Sequence, residues 1–351
     1  MKLIVQIPCL NEEETLPATV RDIPRQIPGI DEVEILVIDD GCTDRTVEVA
    51  RELGVDHVLS FVRNRGLGHA FAAGIDRCLE LGADIIVNTD GDNQYFGGDI
   101  PKLVTPILER RAEIVVGDRE THKIAHFSWA KTKLQQLGSA VVSRLAGTKV
   151  PDVASGFRAY SRDAAMRLIC STNFDHTVDH VIQAGRRRIA TECVPIRTND
   201  KLRESRLFNN IGTFISRSIG VMIRVYSSYR AMRIFSIAGI LTASVGVLIG
   251  LRFLYIYFFD PATSDLHIQS LILAAILILA GFQMILTGVV ADLINSNRSI
   301  LEDMSYRQKQ QDDKNQGKST TDGNAHEAAT TSAGKANEPE DIEEESVAGG
   351  S

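Results

Sequence analysis

The sequence predicts an α/β fold, in which a mostly parallel sheet carries helices on both faces, followed by two transmembrane α-helices. Residues 1–120 alternate short β-branched runs with segments of helical hydrophobic spacing, which is the pattern of repeated βα units. Two long uncharged apolar stretches follow in the last third of the chain. An average composition of 44% hydrophobic and 24% charged residues argues against disorder, a collagen-like repeat or a multi-span transporter as a description of the whole chain.

Short apolar runs in the first two hundred residues have the length and composition of strands that are covered on both faces. The expected strands are Leu3–Ile7, Glu34–Ile38, His57–Phe61, Ile85–Asn88, Ile114–Val116 and Cys193–Arg197. The expected helices are Glu12–Arg25, Thr43–Leu53, Gly68–Leu81, Ile100–Arg110, Trp129–Leu145 and Arg162–Ile169. Ligands of such sheets bind at the carboxyl ends of the strands, so residues that directly follow a strand are the first candidates for a site.

The segment Arg197–Arg233 is basic, with eight Lys or Arg residues and two acidic ones, and apolar residues recur along it at helical spacing. This pattern is typical of a helix that lies on an anionic membrane surface. A basic helix packed on the preceding domain is the alternative.

Two stretches have the length of membrane spans. Ile234–Leu251 holds 18 residues without a charge and Ile268–Ala291 holds 24, whereas about 20 apolar residues cross a bilayer. A buried helical hairpin of a soluble domain is the alternative. The link between the stretches lacks Lys and Arg while basic residues flank the pair, so both ends are expected on the cytoplasmic side.

The net charge of −7 is confined to the last 50 residues, which hold 12 acidic and 5 basic residues. This segment has almost no large apolar residues, so it cannot bury enough surface to fold and is predicted to be disordered. The expected organisation is a catalytic domain (1–206), basic amphipathic interface helices (207–233), transmembrane helices (234–259 and 267–292) and a disordered acidic tail (302–351).

The strongest local signal is Asp90-Gly91-Asp92, which follows an apolar strand. Two carboxylates separated by one small residue can converge on a divalent cation, and Mg²⁺ or Mn²⁺ favours such oxygen ligands. Solvated acidic turns are common, so the pair alone is a weak signal. Two further polar clusters, Pro8–Glu12 and Asp39–Asp40, follow other strands and would share the same edge of a parallel sheet.

Five motifs in this order resemble those of the family-2 inverting glycosyltransferases, which have the GT-A nucleotide-diphospho-sugar transferase fold. They are Pro8-x-x-Asn11-Glu12, Asp39-Asp40-Gly41-x-Thr43-Asp44-x-Thr46, Asn64-x-Gly66-x-Gly68-x-Ala70, Asp90-x-Asp92-x-Gln94 and Asp152-x-x-Ser155-Gly156-Phe157. Within that family the chain is most similar to the dolichyl- or undecaprenyl-phosphate sugar synthases, such as the dolichol-phosphate mannosyltransferases. The resemblance covers about residues 1–210, and the C-terminal spans are similar to the anchors of many members.

The resemblance implies a set of site residues. Those implied to bind the nucleotide sugar are Pro8, Leu10, Glu12, Ile38, Asp40, Asp90, Gly91, Asp92 and Arg119. Mg²⁺ or Mn²⁺ would be held by Asp90, Asp92 and Gln94, and the catalytic residues would be Asp92 and Asp152. For Asp152, capping of a turn is an equal alternative. The acceptor phosphate would meet Lys201, Arg203, Ser205 and Arg206, in a loop where Arg203 replaces the family's usual glycine and Arg206 its final lysine.

The implied reaction transfers a sugar, with inversion, from a UDP- or GDP-sugar to a dolichyl or undecaprenyl phosphate, for glycan or protein glycosylation. A lipid phosphate is already an anion at neutral pH, so the larger demand is to stabilise the departing diphosphate. The alternatives are transfer to another membrane acceptor or a polysaccharide, and a catalytically silent membrane-anchored subunit.

The expected location is the cell membrane, or the endoplasmic reticulum membrane in a eukaryote, with the catalytic domain and the tail in the cytoplasm. The expected partners are the nucleotide sugar, the polyprenyl phosphate and the membrane. No nucleic acid is expected as a partner, and the sequence leaves a homo-oligomer open.

Overall fold

The computed structural model of the chain describes residues 1–120, 138–144, 146–148, 150–168, 176–199, 211–259 and 268–334. The chain divides into two units, residues 1–303 and residues 304–351. Of the helix expected at Trp129–Leu145, only 138–144 lie fully within the described residues, and they are helical.

One seven-stranded sheet forms the centre of the first unit. Its strands are β1 (Lys2–Cys9), β2 (Glu32–Asp39), β3 (His57–Ser60), β4 (Ile85–Asn88), β5 (Ile114–Asp118), β6 (Arg158–Ser161) and β7 (Thr191–Pro195). Their order across the sheet is β3-β2-β1-β4-β6-β5-β7. Every neighbouring pair is parallel except the two that β6 makes, with β4 and with β5. The predicted mostly parallel sheet is confirmed.

Strand β6 is the strand that sequence patterning did not predict. It is only four residues long, and it follows a turn rather than a long apolar run. Asn88 at the end of β4 pairs with Arg158 at the start of β6. Because the two strands are antiparallel, the residues that precede β6 lie at the edge of the sheet where β4 ends. The Asp152–Phe157 motif therefore reaches the same edge as Asp90.

Helices cover both faces of the sheet, as predicted. They are α1 (Leu16–Asp22), α2 (Thr46–Glu52), α3 (Leu67–Glu80), α4 (Ile100–Leu108), α5 (Arg162–Arg167) and α6 (His176–Arg186). Successive strand residues point to opposite faces. Leu3, Val5 and Ile7 of β1 share one apolar core with α1 and α4. Helix α3 lies on the other face, where a Cβ added at Gly74 would lie 2.9 Å from Ile38 Cδ1.

Helix α1 begins at Leu16 rather than at Glu12, where the sequence places its start. The intervening residues form a turn in which the Glu12 carbonyl accepts hydrogen bonds from the N–H groups of Thr15 and Leu16. This turn keeps the Glu12 side chain at the edge of the sheet instead of on the body of a helix.

Two long helices, α7 (Ile211–Phe259) and α8 (Ile268–Gly334), follow the sheet domain. Within them, Met232–Phe259 and Gln269–Asn297 have mean hydropathies of 2.3 and 2.4 and are long and apolar enough to cross a membrane. Only 11% and 17% of their most apolar stretches is buried, which argues against the alternative of a buried helical hairpin.

The helices differ from the predicted boundaries in two ways. Helix α7 runs without a break from Ile211 through the predicted junction between the basic segment and the first span. Helix α8 continues to Gly334, through much of the tail that composition predicts to be disordered. The disorder argument concerns burial alone, whereas a helix that is already nucleated can propagate without burying new surface. Residues 335–351 lie outside the described residues.

Small residues bring α7 and α8 into backbone contact. A Cβ added at Gly239 would lie 2.6 Å from the Gly281 carbonyl oxygen, and one added at Gly246 would lie 2.9 Å from the Ala274 carbonyl oxygen. Small residues that allow such close approach are typical of helix pairs within membranes.

The turn after β2 requires glycine at position 41. Gly41 has a φ of 73°, and an added Cβ would lie 2.5 Å from the backbone nitrogen of Asn64. Gly54 has a similar φ of 68° but has no atom within 4 Å of an added Cβ. The two glycines thus separate the cost of a left-handed backbone from the cost of a steric clash.

We expect Gly41→Ala to lower the free energy of unfolding by about 2–4 kcal/mol, because it combines backbone strain with a clash that the loop cannot relieve. Gly54→Ala is the matched control and should cost about 1 kcal/mol, the strain alone. Denaturant unfolding of the full chain in detergent, followed by circular dichroism, gives both values. Equal losses for the two variants would contradict the close approach of position 41 to the Asn64 backbone.

Candidate active site

The three polar clusters predicted from the sequence meet at one edge of the sheet. The N–H group of Asp40 donates to the Cys9 carbonyl over 3.0 Å, which joins the ends of β2 and β1. A Cβ added at Gly91 would lie 3.0 Å from Cys9 Sγ and 3.3 Å from Glu12 Cγ, so the turn after β4 lies against the turn after β1. Parallel strands place these turns side by side, as the sequence pattern indicates.

The carbonyl of Gly91 is held by two threonines of the first βα unit. Thr15 Oγ1 lies 2.8 Å and Thr19 Oγ1 lies 3.2 Å from this oxygen, and both side chains are buried. Thr15 Oγ1 also lies 2.7 Å from Glu12 Oε2. These contacts fix the peptide between the two predicted cation ligands. The positions of the Asp90 and Asp92 side chains therefore depend on α1 and on Thr15, the residue just before it.

Asp90 lies against the backbone of Gly156, where an added Cβ would meet its carboxylate oxygens at 3.1 and 3.2 Å. Burial raises the pKa of Asp90 to about 7, and the negative charges of Asp92 and Glu12 act in the same direction, while Arg119 acts against them. A carboxylate in this position is costly to ionise unless positive charge comes close to it.

Asp92 and Gln94 form a closed turn around Asn93. Asp92 Oδ1 accepts from the Gln94 N–H over 3.1 Å, and Asp92 Oδ2 accepts from Gln94 Nε2 over 2.7 Å. Asn93 has a φ of 55°, in the left-handed region that asparagine tolerates better than most residues. The predicted ligands Asp92 and Gln94 are therefore brought together.

Arg119 and Asp152 form a bidentate ion pair. Arg119 Nε donates to Asp152 Oδ2 over 2.7 Å, and its NH2 group donates to Asp152 Oδ1 over 2.9 Å. Asp152 is buried and both of its oxygens are engaged, so the geometry favours a role in holding Arg119 over a role as a proton acceptor. The catalytic role that the resemblance implies for Asp152 stays a prediction.

Asp40 accepts two backbone hydrogen bonds from the loop that follows β3. Its Oδ1 accepts from the Arg65 N–H over 2.7 Å and its Oδ2 accepts from the Gly66 N–H over 2.9 Å. The Arg65 guanidinium lies 5.2 Å from the ring centre of Phe61, within cation–π distance. Asp40 thus shapes the loop, and its contact with a nucleoside stays a prediction.

The remaining predicted residues differ in exposure. Pro8 and Ile38 are buried within the sheet, whereas the Leu10 side chain is 40% exposed at the rim of the site. A ligand therefore has access to the Leu10 side chain but not to that of Ile38. The predicted acceptor residues Lys201, Arg203, Ser205 and Arg206 lie outside the described residues.

A buried polar layer under the site was not predicted. Gln6 Nε2 donates to Asn88 Oδ1 over 3.0 Å, and Asn88 Nδ2 donates to the Gly156 carbonyl over 2.8 Å. The Gly156 N–H donates to the Tyr95 hydroxyl over 2.9 Å, and the Tyr95 ring stacks on Phe157 with centres 5.3 Å apart. The sequence signal for this layer was the presence of the polar residues Gln6 and Asn88 within otherwise apolar strands.

The sequence pattern of glycosyl transferase family 2 matches residues 4–169 of this chain. Two relatives illustrate the similarity. The chain is 30% identical over 213 residues to the UDP-N-acetylglucosamine–dolichyl-phosphate N-acetylglucosaminyltransferase of Methanococcus voltae, covering 55% of this chain and 83% of that protein. It is 29% identical over 196 residues to the undecaprenyl-phosphate mannosyltransferase of Micrococcus luteus, covering 53% of this chain and 79% of that protein.

Among solved structures, the chain is similar to glucosyl-3-phosphoglycerate synthase from Mycobacterium tuberculosis in complex with Mn²⁺, UDP and phosphoglyceric acid. The TM-score is 0.49 and the identity 21%, over 64% of this chain and 78% of that chain. The matched residues 4–169 include all five motifs of the sequence analysis. The chain belongs to glycosyl transferase family 2 and is a glycosyltransferase with the GT-A fold.

Proposed function

We propose that this glycosyltransferase moves a sugar from a nucleotide-diphosphate sugar to a polyprenyl phosphate at the surface of a membrane, with inversion at the anomeric carbon. The observation that carries the proposal is the acidic turn after β4, where Asp90 and Asp92 lie at the edge of the sheet beside Glu12 and Gly156. Both relatives named above act on polyprenyl phosphates, as their names state, and one of them uses a UDP-sugar.

The acidic turn suits a divalent cation. Asp90, Asp92 and Gln94 offer only oxygen and amide groups, which matches Mg²⁺ or Mn²⁺ and not zinc. Among the described residues, no group of three or more His, Cys, Asp or Glu side chains is arranged to hold a metal. Two carboxylates would leave coordination positions for the oxygens of a diphosphate. A cation bound there would neutralise charge that develops on the departing diphosphate.

Donor binding follows from the turns that surround the acidic pair. Gly91 and Gly156 have no side chains, so Glu12 can lie against Gly91 and the Asp90 carboxylate can lie against Gly156, which keeps the carboxylates together at the edge of the sheet. Arg119, held by Asp152, offers a fixed positive charge near Asp90. The rim between Leu10 and the Arg63–Gly66 loop is then the place for the nucleoside.

Acceptor binding is proposed from the helices and the basic segment. The apolar stretches Met232–Phe259 and Gln269–Asn297 would anchor the chain, and the basic residues of 197–233 would lie near anionic headgroups. An acceptor phosphate would then reach the site from the membrane surface. We place the catalytic domain and the C-terminal tail on the cytoplasmic side, by the charge asymmetry of the flanks.

The full chain, in detergent or vesicles, should form a labelled polyprenyl-phosphate sugar from a labelled UDP- or GDP-sugar with Mn²⁺ or Mg²⁺. Asp92→Ala should lower turnover by at least about 100-fold, because the departing charge loses its main stabilisation. Glu48→Ala, on the exposed side of α2, is the control and should keep wild-type turnover. Absence of any lipid-linked sugar with every donor would refute the proposed reaction, and full activity of Asp92→Ala would refute the cation site.

The stability of the metal-free chain should depend on the pH through Asp90. Its folded pKa of about 7 lies above its ordinary value, so the stability that this carboxyl contributes is present below about pH 4 and is lost as the pH rises to about 7. Asp90→Asn should therefore raise the melting temperature at about pH 8 and change it little at about pH 4. Thermal unfolding in the presence of a chelator measures this. A variant that is less stable than the wild type at the higher pH would contradict the cost of ionising the buried Asp90 carboxyl.

Truncation after Arg233 tests the membrane anchor. The full chain should remain in the membrane fraction after washes with high salt and alkaline carbonate. The shortened chain lacks both apolar stretches and keeps only its basic, salt-sensitive attachment, so high salt should release it. Sedimentation followed by immunoblotting measures the distribution. Retention of the shortened chain after both washes would contradict anchoring by the two helices.

A further inference from the structure

Asn199 contacts the acidic turn from a distant part of the chain. Its Nδ2 lies 3.1 Å from the Asn93 carbonyl oxygen, 3.2 Å from Asn93 Oδ1 and 3.2 Å from Asp22 Oδ2. Its backbone N–H donates to the Gln94 carbonyl over 3.0 Å. One residue thus binds the carbonyl groups of both peptides that follow Asn93 and Gln94.

These contacts act on the turn that positions Asp92 and Gln94. Asn93 is 8% exposed and holds a left-handed φ of 55°, which costs free energy for a residue with a side chain. That conformation brings the Gln94 N–H back onto Asp92 Oδ1. Asn199 supplies hydrogen bonds to the carbonyls that this conformation would otherwise leave to solvent or unpaired.

The surroundings of the side chain at position 199 require a hydrogen-bond donor. The three atoms around Nδ2 are all oxygens, one of them on the Asp22 carboxylate, so an amide N–H group fits and a carboxylate would be repelled. Among side chains of this length, only asparagine offers two such hydrogens.

The segment that carries Asn199 is itself fixed to the same loop. Thr198 forms an antiparallel bridge with Tyr95, and the Phe96 N–H donates to the Arg197 carbonyl over 3.3 Å. Arg197 also pairs with the fully buried Asp99, with its NH2 group 2.6 Å from Asp99 Oδ1. These contacts therefore fix the position of the backbone that carries the Asn199 side chain.

We propose that Asn199 is a positioning residue that holds Asp92 and Gln94 in the geometry needed for the divalent cation. The inference rests on the proposed function, since it concerns the cation site proposed there. It assigns a role to a residue outside the five family motifs, near the start of the basic segment that follows β7. Partners of this kind around metal ligands change metal affinity by about 10–100-fold when they are removed.

The test is Mn²⁺ binding to the full chain in detergent, measured from the loss of the free-ion signal in electron paramagnetic resonance. Asn199→Ala should weaken Mn²⁺ binding by about 10–100-fold. Asn199→Asp, with the same size, should weaken it at least as much, because it places an acceptor among three oxygens. Thr198→Ala is the matched control: its side chain is exposed, its backbone bridge to Tyr95 is kept, and its affinity should equal that of the wild type. Unchanged Mn²⁺ affinity in Asn199→Ala would overturn the proposal.

Hydrogen exchange at the Gln94 backbone amide tests the positioning role of Asn199 without requiring a bound cation. This N–H is protected by Asp92 only while Asn93 keeps its conformation, so Asn199→Ala should speed its exchange at least about tenfold, a change that Thr198→Ala should not produce. If the wild type binds no Mn²⁺, the proposed cation site fails, and faster exchange in Asn199→Ala still supports the positioning of the turn. Unchanged exchange would overturn the positioning role whatever the metal result.

Discussion

The antiparallel placement of β6 between β4 and β5 is the constraint on which the site depends. A sheet made only of parallel βα units would bring the turns after β1, β2 and β4 to one edge, but it would not bring in the residues before β6. The reversal of β6 sends Asp152–Phe157 to that edge, where Gly156 lies against Asp90 and where Asp152 holds Arg119. The four-residue strand β6 thus brings to the site the contacts of Gly156 and Asp152, which the parallel strands alone would not supply.

The site also concentrates negatively charged side chains in a small volume at the edge of the sheet. Burial is the main cause that raises the pKa of Asp90 to about 7, and the negative charges of Asp92 and Glu12 add to it. The protein offsets part of this cost with Arg119, and it removes flexibility from the acidic turn with Thr15, Thr19 and Asn199. A rigid cluster of this kind is suited to a cationic ligand, because the binding free energy is not consumed in ordering the turn.

Much of the fold was predictable because its strands are short apolar runs with polar residues directly after them. The strands β1, β4 and β5 and the meeting of Glu12 with the acidic turn follow from that pattern alone. Strand β6 was not predictable in the same way, since its placement depends on pairing with β4 and β5 rather than on its own four residues.

The long-range contacts of the site were also hidden from the sequence. Nothing near Asn199 in the sequence indicates that its amide meets Asn93, because the two are brought together only when β7 joins the far edge of the sheet. The contact of Asp40 with a nucleoside stays a prediction, and the sequence did not indicate that both of its oxygens accept backbone N–H groups from the loop after β3. The same carboxylate can serve a turn or a ligand, and only the positions of the neighbouring donors distinguish the two.

The backbone contact between α7 and α8 restricts how the helix hairpin can rearrange. At Gly239 and Gly246 the partner backbone fills the space of a missing side chain, so turning α7 about its axis would drive larger side chains into α8. Helix α7 is continuous from Ile211, so this contact also sets the rotation of its basic first half. The apolar hairpin therefore fixes the rotation of a backbone segment that lies several helical turns away.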